Sequence, residues 1–285
     1  MTPIDAPAPG TPANPPVQPL ATPVAGDEIP ADSVFAIQLR TLSLDAPFHW
    51  LALGWRDFMR APLIGAFYGL CFMLMGWALV AVFKHAPVYT LALSAGFLLV
   101  GPMTCLGLYQ VSYRLEVGET PRLLDSLTVW RRRTGQLAIF GFVLLILEML
   151  WARSALVVFA VSFNGMPDFA GSLSKLVDSQ NLGFIAAYVA VGGLFAALIF
   201  AVSVISMPML LHRETDAISA GLTSMRLVLT QMGVMLVWGA LITVLVVLAL
   251  LPGFAGLILV GPLLGHASWH AYREAVVDSP PTQAA

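Results

Sequence analysis

The stretch Gly253 to Arg273 reads GFAGLILVGPLLGHASWHAYR, an apolar run interrupted by Gly261-Pro262 that turns amphipathic through His266, Trp269, His270 and Arg273. A weaker copy stands at Val100 to Arg114 (VGPMTCLGLYQVSYR), with Gly101-Pro102 in the same place. A third and fainter copy, SMPMLLHR, runs from Ser206 to Arg213 and carries Pro208. Each copy closes a pair of apolar runs, and each pair follows an amphipathic segment bearing Arg. The pattern predicts a unit of one interfacial helix and two membrane spans, repeated three times.

Composition agrees with lipid as the main solvent. Of 285 residues, 58% are hydrophobic and only 11% charged, where a soluble domain carries roughly a quarter charged residues. Cys71 and Cys105 both lie inside apolar runs. They read as small buried hydrophobes rather than as a disulfide or zinc framework, which needs more sulfur at other spacings.

Outward from the closing stretch, the first amphipathic helix is expected after Asp45-Ala46-Pro47, an N-cap acid with Pro in the first turn. Phe48, Leu51, Trp55, Phe58 and Met59 recur at helical spacing, and His49, Arg56, Asp57 and Arg60 take the other side. Such a helix suits the plane of a membrane interface. Ala61 to Phe83 follows as 23 uncharged residues, enough to cross a hydrocarbon core of about 30 Å. Val88 to Gln110 returns as span two. Pro121 opens the second amphipathic helix, which ends in Arg131-Arg132-Arg133.

Span three runs from about Gly135 to Phe159, and span four from Leu182 to Leu211. Ile218, Leu222, Met225, Leu229 and Met232 form the apolar stripe of the third amphipathic helix. Spans five and six, Val234 to Leu251 and Phe254 to about His270, are joined at Leu251-Pro252-Gly253. The fold expected is all-α: six transmembrane helices as three hairpins over residues 34–277, with an acidic, Pro-rich tail at 1–33 and a short polar one at 278–285. Val34 to Leu44 partly alternates and reads as an extended lead-in. Eleven Arg fall on the side carrying both termini, against Lys84 and Lys175 on the other. The positive-inside rule then puts both termini in the cytoplasm.

Few residues offer chemistry. His266 and His270 stand four apart on one helix face, as paired haem or copper ligands would, with His212, Met207 and Met209 as further candidates. The competing reading makes His266, Trp269 and His270 part of an aromatic interfacial belt. Glu148 and Arg153 are the only charges within an apolar run. Intramembrane ionisable groups are costly and often functional, but a spacing of five sets the two about 140° apart around a helix. Counted from Gly135, Glu148 falls past the bilayer centre, with Arg153 snorkelling beyond it. Pro102, Pro208 and Pro262 each remove a backbone hydrogen bond, and the kinks serve packing or line a cavity. Trp55, Arg56, Asp57, Arg131, Arg132, Arg133 and Trp269 read as interfacial anchors, the Arg run also attracting anionic lipid. No phosphate-binding Gly loop, His-Glu-x-x-His, Gly-x-Ser-x-Gly or Cys-x-x-Cys is present, and no feature suggests nucleic-acid binding.

Two motifs resemble a known family. Trp50-Leu51-x-x-Gly54-Trp55-Arg56-Asp57-Phe58 with Arg60-Ala61-Pro62, and Gly261-Pro262-Leu263-Leu264-Gly265-His266-Ala267-Ser268-Trp269-His270-x-Tyr272-Arg273, are similar to bacterial integral membrane proteins grouped as domain of unknown function 2189. The likeness covers roughly Phe48 to Val277 and implies a multi-span protein of the bacterial cytoplasmic membrane. The family carries no assigned activity. Members are sometimes labelled as resembling cytochrome c oxidase subunit I, but a haem–copper centre needs several His ligands on facing helices, and here five His are scattered along the chain. The expectation is therefore a non-catalytic accessory, assembly or structural membrane protein without a cofactor, working in the bilayer with other membrane proteins or with copies of itself. The alternative is a small transporter using Glu148 and the kinked helices.

Overall fold

The computed structural model describes residues 37–85, 90–162 and 182–277. The expected terminal tails, the turn at 86–89 and the long loop at 164–181 lie outside the described residues. The described residues are helical, apart from short connections and one antiparallel bridge between Leu39 and Val276. In order they form α1 (Ala46–Arg60), α2 (Pro62–His85), α3 (Thr90–Glu116), α4 (Leu123–Thr128), a 3-10 turn (Val129–Arg133), α5 (Thr134–Ser162), α6 (Leu182–Ser203), α7 (Ser206–His212), α8 (Ala217–Thr230), α9 (Met232–Leu250) and α10 (Leu257–Ala275). α2 packs on α3, α5 on α6 and α9 on α10, while α10 also lies against α1 and α2.

Among the described residues, four stretches are long and apolar enough to cross a membrane: Pro62–His85, Leu123–Ser162, Leu182–His212 and Met232–Leu250. At most 39% of any of their most apolar windows is buried, so most of that apolar surface faces outward, which only lipid tolerates on this scale. α3 and α10 are long but more polar, because their second halves carry Gln110, Ser112 and Arg114, and His266, Ser268, His270 and Arg273. Those halves are where the molecule is most densely packed. Trp50, Leu106, Leu210, Trp238, Trp269 and Tyr272 are all fully buried there.

Small residues bring the helices together. A Cβ on Gly54 of α1 would stand 2.8 Å from the Ala267 nitrogen and 2.9 Å from the Leu263 carbonyl oxygen of α10. Without lipid-versus-water contrast to drive helix association, this backbone approach supplies the packing.

Local chemistry sets the breaks. The expected span four is interrupted at Val204-Ile205, and α7 starts afresh. Pro208 has no N–H to offer the Val204 carbonyl, and one turn earlier the Ser224 hydroxyl of α8 stands between Ala201 and Ile205, donating to the Ala201 carbonyl and accepting from the Ile205 amide. Pro102 and Pro262, by contrast, lie within continuous helices. Asp45 occupies the N-cap of α1, with Pro in the first turn, but its side chain accepts no helix N–H and bonds Ser43 instead. Asp216 does cap α8, accepting from Ile218 and Ser219. The second amphipathic segment begins at Leu123, two residues after Pro121, and its 3-10 turn leads straight into α5.

All three short segments turn most of their apolar stripes outward, although Phe58 of α1 is buried. Phe48, Trp55 and Met59 of α1, Leu124, Leu127 and Trp130 of the second segment, and Ile218, Leu222 and Leu229 of α8 are exposed. The faces meeting protein hold Trp50, Gly54 and Asp57 in α1, Ser126 and Val129 in the second segment, and Ala220, Ser224 and Leu227 in α8. The lead-in is pinned at the same end. Arg40 N–H donates to the Ala275 carbonyl and Val277 N–H to that of Gln38, Arg226 donates to the Ile37 carbonyl, and Gln231 bonds both Leu42 and Arg40.

Candidate functional site

The second half of α10 organises one polar cluster. Its residues 266 and 270, four apart, both face the seam where α1 and α3 close on α10. His270 Nε2 donates to the Asp57 carboxylate at 2.8 Å. Ser112 on α3 bonds the same carboxylate and lies 2.8 Å from His266 Nδ1. Ser112 has one proton. With it given to Asp57, His266 Nδ1–H is the donor to Ser112, and the fully buried Nε2, which has no partner, is left as an acceptor. Burial raises the pKa of the Asp57 carboxyl, but the hydrogen bond and charge of His270, with Ser112 and His266 behind them, outweigh it and hold the group below the usual carboxylate range.

Around this network the end of the bundle is tied polar group by polar group. Glu116 accepts from Trp269 Nε1 at 3.0 Å and from Arg273 Nε at 3.0 Å. Trp50 Nε1 donates to Glu274 at 2.7 Å. His212 Nδ1 meets the Tyr272 hydroxyl at 2.9 Å, and the rings of Tyr113, His212, Trp269 and Tyr272 pack edge-on or tilted at 5.4–5.8 Å. Asp57 and Trp269, read from sequence pattern as interfacial, are 2% and 1% exposed. The apolar periodicity of α1 put Asp57 on a water-facing side, whereas that side is the one docked on α10. Trp269 likewise belongs to the core, where its N–H reaches Glu116. Trp55, stacked on Phe58, and Arg56 are exposed. Arg131 lies over Trp130 at 5.7 Å, Arg132 is exposed, and Arg133 donates to the Arg213 carbonyl.

The histidines are thus brought together, with one ring nitrogen of His266, His270 and His212 bonded to Ser112, Asp57 and Tyr272 respectively. Among the described residues no three His, Cys, Asp or Glu side chains are grouped as metal ligands would be. The network is a hydrogen-bonded clamp joining α1, α3 and α10, in which His266 Nε2 keeps no partner.

A second site lies in the apolar half. Glu148 is the middle residue of α5, about 21 Å from either helix end at 1.5 Å per residue. Only 6% of it is exposed, and its Oε1 is buried without a hydrogen-bond partner. It borders two cavities. One, of about 180 Å³, is shared with Gly101 and Pro102 of α3 and Ser203 at the end of α6. The other, an open groove of about 400 Å³, lies between α5 and α6 and is lined by Trp151, Gly192, Phe195, Phe200 and Ser203. Ser203 spends its proton on the Ile199 carbonyl, so it leaves the carboxyl unserved. Arg153 is exposed, turned away as the helical spacing required. Gly261 and Pro262 are elsewhere, in the α2–α10 seam, where a Cβ on Gly261 would strike Phe72.

Sequence pattern did not reveal Ser112 as a partner of the His pair, Glu116 as the acceptor for Trp269 and Arg273 or Trp50 as a donor to Glu274, nor Ser203 and Trp151 beside Glu148. All are uncharged or sit at helix ends, and only the tertiary packing gives them a role. No curated protein and no solved structure matches the chain. Four membrane-length apolar stretches make this an integral membrane protein, and residues 88–212 match the model of a family described as predicted integral membrane protein (DUF2189), the family of unknown function that the sequence resembles.

Proposed function

We propose that the protein is a six-span carrier of the bacterial cytoplasmic membrane, built from three repeats of an interfacial helix and a helical hairpin, and that Glu148 is its working group. The outward apolar stripes of α1, the α4 segment and α8 support the interfacial assignment, since a helix lying in the membrane plane must offer lipid its apolar side. In this reading the three segments lie at one level, at the Arg-rich end that the positive-inside rule assigns to the cytoplasm.

The observation that carries the carrier reading is the orphaned carboxyl of Glu148 in mid-helix, facing cavities bounded by the Pro102 segment of α3 and the end of α6 just before the chain breaks. A carboxylate there demands a proton or a counter-charge, and the interrupted helix beside it resembles the way carriers place binding groups near the bilayer midplane. In proteoliposomes under an imposed pH gradient, wild-type protein should collapse the gradient measured with an entrapped pH dye. Glu148→Gln should leave it at the protein-free rate. Equal rates for the two proteins remove this reading.

The accessory role also has specific support, in the exposed Phe48, Trp55 and Met59 of α1, a face that another membrane protein can cover as well as lipid can. Purification from the native membrane in gentle detergent, with mass spectrometry of stoichiometric companions, distinguishes the two. Companions lost on changing Trp55 and Phe48 to Ser favour the accessory role, and a lone protein or homo-oligomer favours the carrier.

A further inference from the structure

We infer that the larger Glu148 cavity is a binding site for lipophilic organic cations, flat aromatic or amine-bearing molecules of modest size. This names a ligand class for the carrier reading and rests on Glu148 being its working group. Three features of the cavity converge on that class. Its single ionisable side chain is Glu148, a buried acceptor whose Oε1 is unmatched by any donor, so a ligand that completes it brings a positive charge, an N–H, or both. The walls add Trp151, Phe195 and Phe200, whose ring faces attract a cation and whose area favours an aromatic body. The volume of about 400 Å³ falls within the range of roughly 300–1,000 Å³ typical of small-molecule sites.

The alternatives fit less well. An inorganic cation keeps its hydration shell or wants several oxygen ligands, and here one carboxyl and the Ser203 oxygen stand among hydrocarbon. An anion meets no cation, since Arg153 points elsewhere. A neutral lipid chain fills the apolar walls but leaves Glu148 unpaired. Gly192 opens the floor of the pocket: a Cβ there would touch only Trp151 Nε1, at 3.7 Å, so a longer side chain at 192 would project into the cavity without striking backbone.

The test uses the full-length protein in mild detergent, with ethidium as the cationic probe, phenanthridine as its uncharged aromatic counterpart at neutral pH, and fluorescence anisotropy or equilibrium dialysis as readout. Wild type should bind ethidium at least tenfold more tightly than phenanthridine. Glu148→Gln should lose that preference while still binding phenanthridine, and Gly192→Leu, which keeps the carboxyl but fills the space, should weaken both probes by tenfold or more. Size-exclusion profiles matching wild type establish that each variant is folded, and if Glu148→Gln is not, Gly192→Leu with Glu148→Asp carries the test. Ethidium binding that is unchanged in Glu148→Gln or Gly192→Leu, or no preference over phenanthridine, overturns the assignment. Pairing with the gradient assay separates the two claims. Cation binding without flux keeps the site and removes the carrier, whereas Glu148-dependent flux without ethidium binding keeps the carrier and removes this ligand class.

Discussion

Asp57 and His270 are 213 residues apart in sequence and 2.8 Å apart in space, carboxylate against imidazole Nε2, with the carboxylate side chain only 3% exposed. The bond fastens the first helix of the bundle to the last. Through Ser112 it also engages α3.

Asp57→Ala leaves both His270 and Ser112 without their acceptor inside the packed end. A hydrogen bond to a buried charged group is worth about 1.5–3 kcal/mol, and a loss of that size is expected in thermal or denaturant unfolding in detergent. His270→Ala should cost a similar amount, and the double variant less than the sum of the two. Additive losses would mean that the residues do not act as a pair.

The same carboxyl gives the protein an acid limit. Asp57 titrates below its ordinary value in the folded state, so it stabilises the fold above the unfolded-state value of about 3.9, and the contribution fades as pH falls through the lower folded value. The groups facing it are His270 and His266 on α10 and Ser112 on α3. Stability measured from pH 6 down to pH 3 should fall at the acid end, and Asp57→Asn should flatten that part of the curve while lowering the plateau.

Gly54→Ala tests the α1–α10 approach. Its Cβ would meet the Ala267 and Leu263 backbone at 2.8 and 2.9 Å, and neither atom can swing away as a side-chain tip does. Forcing α1 outward should cost about 1–3 kcal/mol and weaken the Asp57–His270 bond with it. Gly192→Ala, which touches only Trp151 at 3.7 Å, should cost little.

Much of this helical arrangement is legible in the order of residues, because long apolar runs and 3.6-residue stripes identify helices whatever surrounds them. Which stripe turns inward is a different matter. In water the apolar side of α1 would face protein, but here Phe48, Trp55 and Met59 face out and Trp50, Gly54 and Asp57 face in. Lipid is as apolar as a core, so hydrophobicity no longer separates the two directions and the small-residue stripe becomes the guide. Periodicity put His266 and His270 on one face. It carried no information about Ser112 and Asp57, which arrive from other helices. Glu148 stood out with Arg153 as a charge within an apolar run, yet the cavity it shares with Pro102 and Ser203 forms only where α3, α5 and α6 meet.

Sidedness is open to chemical labelling. With Cys71 and Cys105 changed to Ala, single cysteines replacing Lys84 and Arg122 should react with a membrane-impermeant maleimide from opposite sides of the membrane. Lys84→Cys should label in intact cells, and Arg122→Cys only after permeabilisation. Labelling of both from the same side would contradict the arrangement of spans.

The most direct measurement follows gradient collapse in proteoliposomes as Glu148 is modified by dicyclohexylcarbodiimide, a lipid-soluble reagent for carboxyl groups in apolar surroundings, with mass spectrometry counting the modified peptide. Loss of flux in proportion to modification at Glu148, slowed by prior addition of ethidium, is the expected result. Flux that persists when Glu148 is fully modified, or a Glu148 that stays unmodified while the flux stops, would contradict its role as the working group of the membrane domain.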